Sequence, residues 1–225
     1  MAAEPSRAAA GPGDASEEAL RAAKRALRET VLAARAALDA ASRAAACAAI
    51  TRRLLDRDSW RKARTVSAYW SFGSEFDTAA LIAQSLRAKK RLVLPRIDRA
   101  ARALVFHVVT DLDADLLAGT WGIREPDPAR CPAADLREIE FMLVPGVAFT
   151  RECDRLGYGG GYYDRVLEGL PAGCRAVSAA FSVQIVETLP LSPRDQKVDA
   201  VVTESGCFGL ADQDWNHRSP GHPVT

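Results

Sequence analysis

Apolar side chains recur along this chain with two different periods. From Glu17 to about Asp39, Leu20, Leu27, Val31 and Leu38 fall within a narrow arc at about 100° per residue, the spacing of an amphipathic helix that buries one stripe. A second, Ala-rich helix is predicted from Ser42 to Asp56. Beyond it the pattern shortens to strands, first at Arg64 to Trp70 and then, after a helix opening at Asp77-Thr78 where either side chain can cap the first turn, at Arg91 to Ile97. Ala103 to Val109, Glu140 to Gly146, Arg175 to Phe181 and Lys197 to Thr203 read as further short strands rich in β-branched residues. Several are apolar almost throughout, which requires a sheet covered on both faces. The expected fold is therefore α/β: a single layered domain with a mostly parallel central sheet flanked by helices and an N-terminal amphipathic helix.

The ends do not follow this pattern. Residues 1–16 are Ala, Gly and Pro with scattered charge, too poor in large apolar groups to offset the entropy of ordering them, so a disordered tail is expected there. Residues 17–210 form the α/β domain, and residues 211–225, polar with two prolines and two histidines, form a C-terminal tail. A chain of 225 residues, 48% hydrophobic, supports one core deep enough for a ligand pocket.

Charge and cysteine usage narrow the classes of function. Lys and Arg total 30 against 29 Asp and Glu, so no broad field exists to gather nucleic acid or an anionic membrane, and basic chemistry must be local. The five cysteines are odd in number, scattered and never in a CxxC pair, which argues against a disulfide framework or zinc knuckle and for a reducing cytoplasm. No apolar run approaches the roughly 20 residues of a membrane span, and the first segment lacks the apolar core of a secretory signal. A soluble, unexported monomer acting on small molecules is the expectation.

The loudest local signal is Arg155-Leu156-Gly157-Tyr158-Gly159-Gly160-Gly161-Tyr162-Tyr163, directly after the apolar strand and its PGVAF continuation and before a helix beginning YYDRVLEGL. Glycines permit positive φ and close backbone approach, so strand, glycine loop and helix start make an anion cradle. The loop is neither GxxxxGK[ST] nor GxGxxG, so it points to phosphate without saying which phosphate. A tight turn is the bland alternative, but a turn needs fewer glycines.

Lys24 and Arg28 lie four apart on the first helix, with Lys24 inside the apolar stripe, where it either snorkels past the core edge or meets an anion. Arg35 shares that arc and either extends the basic line or pairs with Asp39. Asp164 and Asp195 are separate carboxylates at loop or helix boundaries, suited to magnesium bridging a nucleotide phosphate or to plain capping. Glu75 follows a strand end, where α/β proteins bind ligands, or is a solvated loop acid. Trp121, among turn formers, offers a stacking face or ordinary loop packing. His107 lies in a strand and His217 and His222 in the tail, so no triad or zinc hydrolase is indicated.

Taken in order, KRALR (Lys24 to Arg28), SEFDT (Ser74 to Thr78), LVLPR (Leu92 to Arg96), WGIREP (Trp121 to Pro126), the block from Val144 to Leu167 and LPLSPRDQKVDAVVTE (Leu189 to Glu204) resemble the 5-formyltetrahydrofolate cyclo-ligase family. The resemblance implies an ATP- and Mg2+-dependent enzyme that closes 5-formyltetrahydrofolate, a reduced folate, into 5,10-methenyltetrahydrofolate. It assigns Lys24, Arg28 and Arg155 to Tyr163 to ATP, Asp164 and Asp195 to magnesium, and Trp70, Glu75, Trp121 and Tyr162 to the folate. Arg155 and Tyr162 would position the reactants, with no covalent nucleophile. Two departures stand out: some relatives have a lysine where this chain has Gly160, and Glu152-Cys153-Asp154 replaces commoner small turn residues. Two other classes fit parts of the pattern. A non-catalytic folate or nucleotide binder would not need the intact basic pair, aspartates and loop; a sugar-phosphate isomerase or CoA transferase would need phosphate binding without ATP.

Overall fold

A computed structural model describes residues 12–119 and 122–210. The chain enters through α1 (Pro12–Ala36), α2 (Ala40–Asp56) and the short α3 (Asp58–Lys62) before β1 (Thr65–Ser67), α4 (Ala79–Arg87), β2 (Arg91–Asp98) and β3 (Ala103–Val109). Then follow β4 (Leu116–Ala118), β5 (Arg124–Pro126), β6 (Phe141–Leu143), β7 (Ala148–Phe149), β8 (Arg155–Leu156), α5 (Tyr162–Glu168), β9 (Arg175–Ala179), β10 (Ala200–Val202) and β11 (Cys207–Gly209).

Among the described residues the main sheet has seven strands in the order β11-β10-β9-β6-β1-β2-β3. Its centre, from β10 to β2, is parallel, and β11 and β3 close the two edges antiparallel. Strand residues alternate between two apolar clusters. Val66, Leu92, Leu94, Phe141, Leu143, Val177, Ala200 and Val202 share one with Ile50 and Leu54 of α2 and Leu81 and Ile82 of α4. Val93, Met142, Ala176 and Val201 share the other with Phe149 and Val166 of α5. A pleated strand sends successive side chains to opposite faces, so both faces are dry and the strands read as continuous apolar runs.

The central strands pair over fewer residues than their apolar runs suggest: β1 pairs only Thr65 to Ser67 of the predicted Arg64–Trp70, and β6 only Phe141 to Leu143 of Glu140–Gly146. Ala68 and Val144 still donate to the Val93 and Val177 carbonyls; beyond them the chain leaves the sheet, and the leftover apolar residues Ala68, Tyr69 and Val144 stay buried in the two clusters. The PGVAF continuation is likewise no extension of β6. It forms a hairpin in which β7 pairs antiparallel with β8. Its turn is closed by Thr150 and Asp154, whose side chains hydrogen bond at 3.1 Å, and Cys153 takes the left-handed conformation with φ 66°.

Helix α1 starts at Pro12, ahead of the expected Glu17, and stops at Ala36, short of Asp39. Asp39 instead caps α2 by accepting the Ser42 N–H at 2.9 Å, which leaves Arg35 to find another partner. At α4, Asp77 accepts the Ala79 N–H, whereas Thr78 gives no side-chain cap because its hydroxyl accepts the Ser71 N–H. The inner stripe of α1, with Leu27, Val31 and Leu32, packs on Val147, Ala148 and Leu156 of the hairpin region. This docking brings the basic face of α1 onto the glycine loop.

Candidate active site

β1 leads on to β2 on one side of it, while β6, on its other side, leads on to β9 and β10. This reversal of strand order opens a crevice beyond the carboxyl ends of β1 and β6, the place where open α/β sheets take ligands. The loop after β1 delivers Tyr69, Trp70 and Glu75, and the segment after β6 delivers Pro145, Gly146 and then the glycine loop.

Three cations gather at the glycine loop and its flanks. Arg28 Nε donates to the Gly157 carbonyl at 2.8 Å, and burial holds its guanidinium below the usual range against the pull of Asp195. Lys24 Nζ lies 2.5 Å from Asp195 Oδ2, which also accepts the Ser192 N–H at 2.5 Å and the Ser192 hydroxyl at 2.9 Å. Burial pushes the Asp195 carboxyl up, but the bonds from Lys24 and Ser192 outweigh it and hold the group below the ordinary carboxylate range. Arg155, 3% exposed, donates from Nη2 to Asp164 Oδ1 at 2.5 Å and from Nη1 to the Pro145 carbonyl at 3.3 Å, while its buried Nε has no partner among the described residues.

The loop backbone is built for close approach at two glycines: Gly159 has φ 101° and Gly161, the N-cap residue of α5, has φ 66°. At Gly160, an added Cβ would meet the Tyr162 ring at 2.7 Å. The ring thus fills the space a lysine stem would need. Arg165 lies over the same ring, 5.3 Å from its centroid. Leu156 contributes backbone only. Its side chain is buried with Val31 and Val147, and its carbonyl accepts the Val147 N–H at 2.7 Å.

The two aspartates are neighbours, because the Gln196 N–H donates to Asp164 Oδ1 at 3.2 Å. Each commits one oxygen to a cation, while Asp164 Oδ2 and Asp195 Oδ1 make no hydrogen bond among the described residues. Two hard oxygen donors beside a cation-lined glycine loop are a set that could hold magnesium, which takes one or two carboxylates and fills the rest of its shell with water or ligand oxygens. Among the described residues no three His, Cys, Asp or Glu side chains gather to cage a metal by themselves.

Across the loop lies a buried carboxylate. Glu75, 6% exposed, accepts the Tyr158 hydroxyl on Oε1 at 2.5 Å and the Phe72 N–H on Oε2 at 3.0 Å. Burial raises its carboxyl above the ordinary value despite those bonds and the charge of Arg35. Burial and the Glu75 charge likewise push the phenols of Tyr158 and Tyr163 up and keep them protonated. Arg35 donates to Ser74 Oγ at 3.0 Å and to the Tyr158 hydroxyl at 3.1 Å, so it extends the basic line of α1 into this pocket.

Trp70 is half-buried with the Arg124 guanidinium 4.9 Å from its ring centroid. Trp121 lies outside the described residues. Arg35 and Ser192 were not assigned to the site from sequence. The signal for Arg35 was its helical phase, seven residues after Arg28; Ser192 left none, because its role depends on where the segment before β10 folds.

The sequence model of the 5-formyltetrahydrofolate cyclo-ligase family matches residues 20–204. The chain belongs to this family. It is 34% identical over 142 residues to the 5-formyltetrahydrofolate cyclo-ligase of Mycolicibacterium smegmatis, covering 62% of this chain and 73% of that one. Against the Escherichia coli cyclo-ligase identity is 34% over 144 residues, covering 64% and 79%. The solution structure of Aquifex aeolicus 5,10-methenyltetrahydrofolate synthetase superposes with a TM-score of 0.74 at 30% identity, over 90% of this chain and 96% of that one. The cyclo-ligase assignment makes the chain an enzyme of the ligase class and agrees with the parallel sheet and flanking helices described above.

Proposed function

We propose that this cyclo-ligase uses ATP and magnesium to convert 5-formyltetrahydrofolate to 5,10-methenyltetrahydrofolate, releasing ADP and phosphate. The observation that carries the reading is one crevice holding both a cation-lined glycine loop and, directly across it, the buried carboxylate of Glu75, joined through Tyr158. The relatives' names supply the folate; the loop and its cations support a polyphosphate.

The chemistry asks for activation, since a formamide carbonyl resists attack and its oxygen leaves poorly. Transfer of the γ-phosphoryl group to the formyl oxygen gives an imidate phosphate and ADP. Attack by N10 on the formyl carbon then closes the five-membered ring; N10 gives up its proton, the C–O bond breaks, and inorganic phosphate leaves, able to take that proton with it. Lys24 and Arg28 would neutralise the phosphate oxygens, Arg155 adds its charge from beneath the loop, and Tyr162 flanks the loop. Asp164 and Asp195 would hold magnesium, which would supply positive charge against the phosphate. Glu75 is an acceptor-only anion suited to the N–H edge of the reduced pterin, with Trp70 and Trp121 as candidate ring contacts.

A cytoplasmic location is part of this proposal. No disulfide joins Cys47, Cys131, Cys153 or Cys207, and no helix among the described residues is long and apolar enough to cross a membrane. The Arabidopsis thaliana relative, 30% identical over 81% of this chain and 74% of its own length, is named as mitochondrial. Incubation of the purified protein with 5-formyltetrahydrofolate, ATP and magnesium should produce the methenyl chromophore. A folded protein giving none, with each component required shown to be present, would overturn the reading.

A further inference from the structure

Tyr158 belongs to the glycine loop by sequence but spends its hydroxyl proton on Glu75, at 2.5 Å. The same oxygen accepts from Arg35 Nη2 at 3.1 Å, and Arg35 is anchored by Ser74 at 3.0 Å. Helix α1, the loop after β1 and the glycine loop are thus joined through one phenol. Its ring lies 5.5 Å from that of Phe72, whose N–H also binds Glu75; Phe72 and Tyr158 are 40% and 41% exposed while Glu75 between them is 6% exposed.

The position of this phenol is tied to the backbone of the glycine loop. Gly157 and Gly159 flank Tyr158, and Arg28 holds the Gly157 carbonyl from the phosphate side. An anion that draws Arg28 and the loop amides toward itself would pull on the Tyr158 backbone through Gly157 and Gly159. An N–H donor arriving at Glu75 competes with the phenol for the carboxylate. Arg35 stays fixed meanwhile, because it is 3% exposed and bonded to Ser74.

We propose that Tyr158, oriented by Arg35, is a positioning residue that couples the two halves of the site: it covers Glu75 while the loop is empty and withdraws when phosphate engages the loop. The inference rests on the reading of Glu75 as the folate carboxylate. Nucleotide then opens the folate pocket, and by linkage folate favours nucleotide by the same factor.

Calorimetric titration of 5-formyltetrahydrofolate into the protein, alone and saturated with magnesium and a non-hydrolysable ATP analogue, tests it. In the parent, nucleotide should tighten folate about fivefold or more, the lower range of typical couplings. Tyr158→Phe keeps the ring against Phe72 but loses the proton; folate alone should bind it more tightly than the parent, and the nucleotide effect should fall below about twofold. Arg35→Lys, which keeps the charge but replaces the spaced Nε and Nη2 donors by a single ammonium on a shorter, more flexible stem, should lower the ratio in the same direction. A purely structural Tyr158 would leave the ratio unchanged, and that result overturns the coupling while the folate reading stands. A parent that binds no folate under either condition overturns both.

Discussion

The ammonium of Lys24 and the carboxylate of Asp195, 171 residues apart in sequence, meet at 2.5 Å with side chains only 13% and 19% exposed. The pair fastens α1 to the segment before β10 and at the same time sets a cation and a prospective metal ligand at the mouth of the glycine loop. Its structural and functional contributions are separable. Lys24→Met leaves Asp195 partly buried without its counter-charge and should cost about 1–3 kcal/mol, less than the roughly 3–5 of a fully buried pair. Adding Asp195→Asn should restore much of that stability in urea titrations. The ATP requirement of the double variant should nevertheless stay at least tenfold above the parent's, because no cation returns to the phosphates. Recovery of ATP affinity together with stability would make the pair a staple and nothing more.

A backbone prediction concerns Gly159, whose φ of 101° is strained for any residue with a Cβ. The added atom would also sit 3.5 Å from the Arg28 guanidinium. Gly159→Ala should therefore raise KM for ATP several-fold while leaving KM for folate nearly unchanged, with a strain cost of about 1–2 kcal/mol. Gly173→Ala, where nothing lies within 4 Å, is the control and should be silent. Equal effects of Gly159→Ala on both KM values would mean that the loop does not distinguish the substrates.

Much of this was legible in the sequence for physical reasons that differ by element. The strands β2 and β3 and the helix α2 were found within two residues of their ends, because a long β-branched run or a long helical period leaves little choice of register. β7 and β8 were not, since two-residue strands carry no period and are stabilised by their pairing alone. The glycine loop announced itself by composition and Lys24 by its apolar company. Glu75 stood out by its place after a strand, yet its burial and its bond to Tyr158 depend on contacts across 83 residues. No local pattern encodes that approach. It follows from how α1 docks on the β7–β8 hairpin.

Glu75 also predicts a pH dependence of stability. Burial raises its carboxyl above the ordinary value in the folded chain. The folded state therefore binds this proton more tightly than the unfolded state, whose value is near about 4.3. The residue's favourable contribution is present below that unfolded value and is lost as pH rises through the folded one. At neutral pH the ionised group is thus carried at a cost to the fold. Glu75→Gln keeps an acceptor for Tyr158 and removes the charge, so its Tm at pH 7 should exceed the parent's, and the gap should narrow on going below about pH 4. Folate affinity should fall in the same variant, a trade of stability for binding. A Tm gap that widens in acid would contradict this sign.

Magnesium titration addresses the aspartates. Asp164→Asn and Asp195→Asn keep hydrogen bonding to Gln196 or Ser192 but remove the carboxylate charge that a hard cation prefers. Half-maximal magnesium should rise about tenfold or more in each, with folate binding still measurable. Asp164→Asn should also lower Tm, because it leaves Arg155, 3% exposed, facing a neutral amide. Titrations superimposing on the parent's would remove both residues from the metal site.

The last prediction follows one oxygen atom. If the γ-phosphoryl group moves directly to the substrate, no protein side chain carries it, and the groups around the crevice fit that route. The phenols of Tyr158 and Tyr163 are kept protonated by burial and by the Glu75 charge, which makes them poor nucleophiles at neutral pH. His107 stands on the edge strand β3 with Nδ1 bound to the Cys131 carbonyl at 2.9 Å, and the Cys153 thiol, in the β7–β8 turn, is pushed up to about 11 by burial. The formyl oxygen is then the atom that receives phosphorus, and ring closure expels it as part of inorganic phosphate. Substrate carrying heavy oxygen in the formyl group should yield one labelled oxygen per phosphate released, read by mass spectrometry. Hydrolysis of ATP that merely drives a closing motion would draw that oxygen from water instead. Unlabelled phosphate formed in step with the methenyl product would exclude direct phosphorylation while leaving the sites for ATP and folate intact.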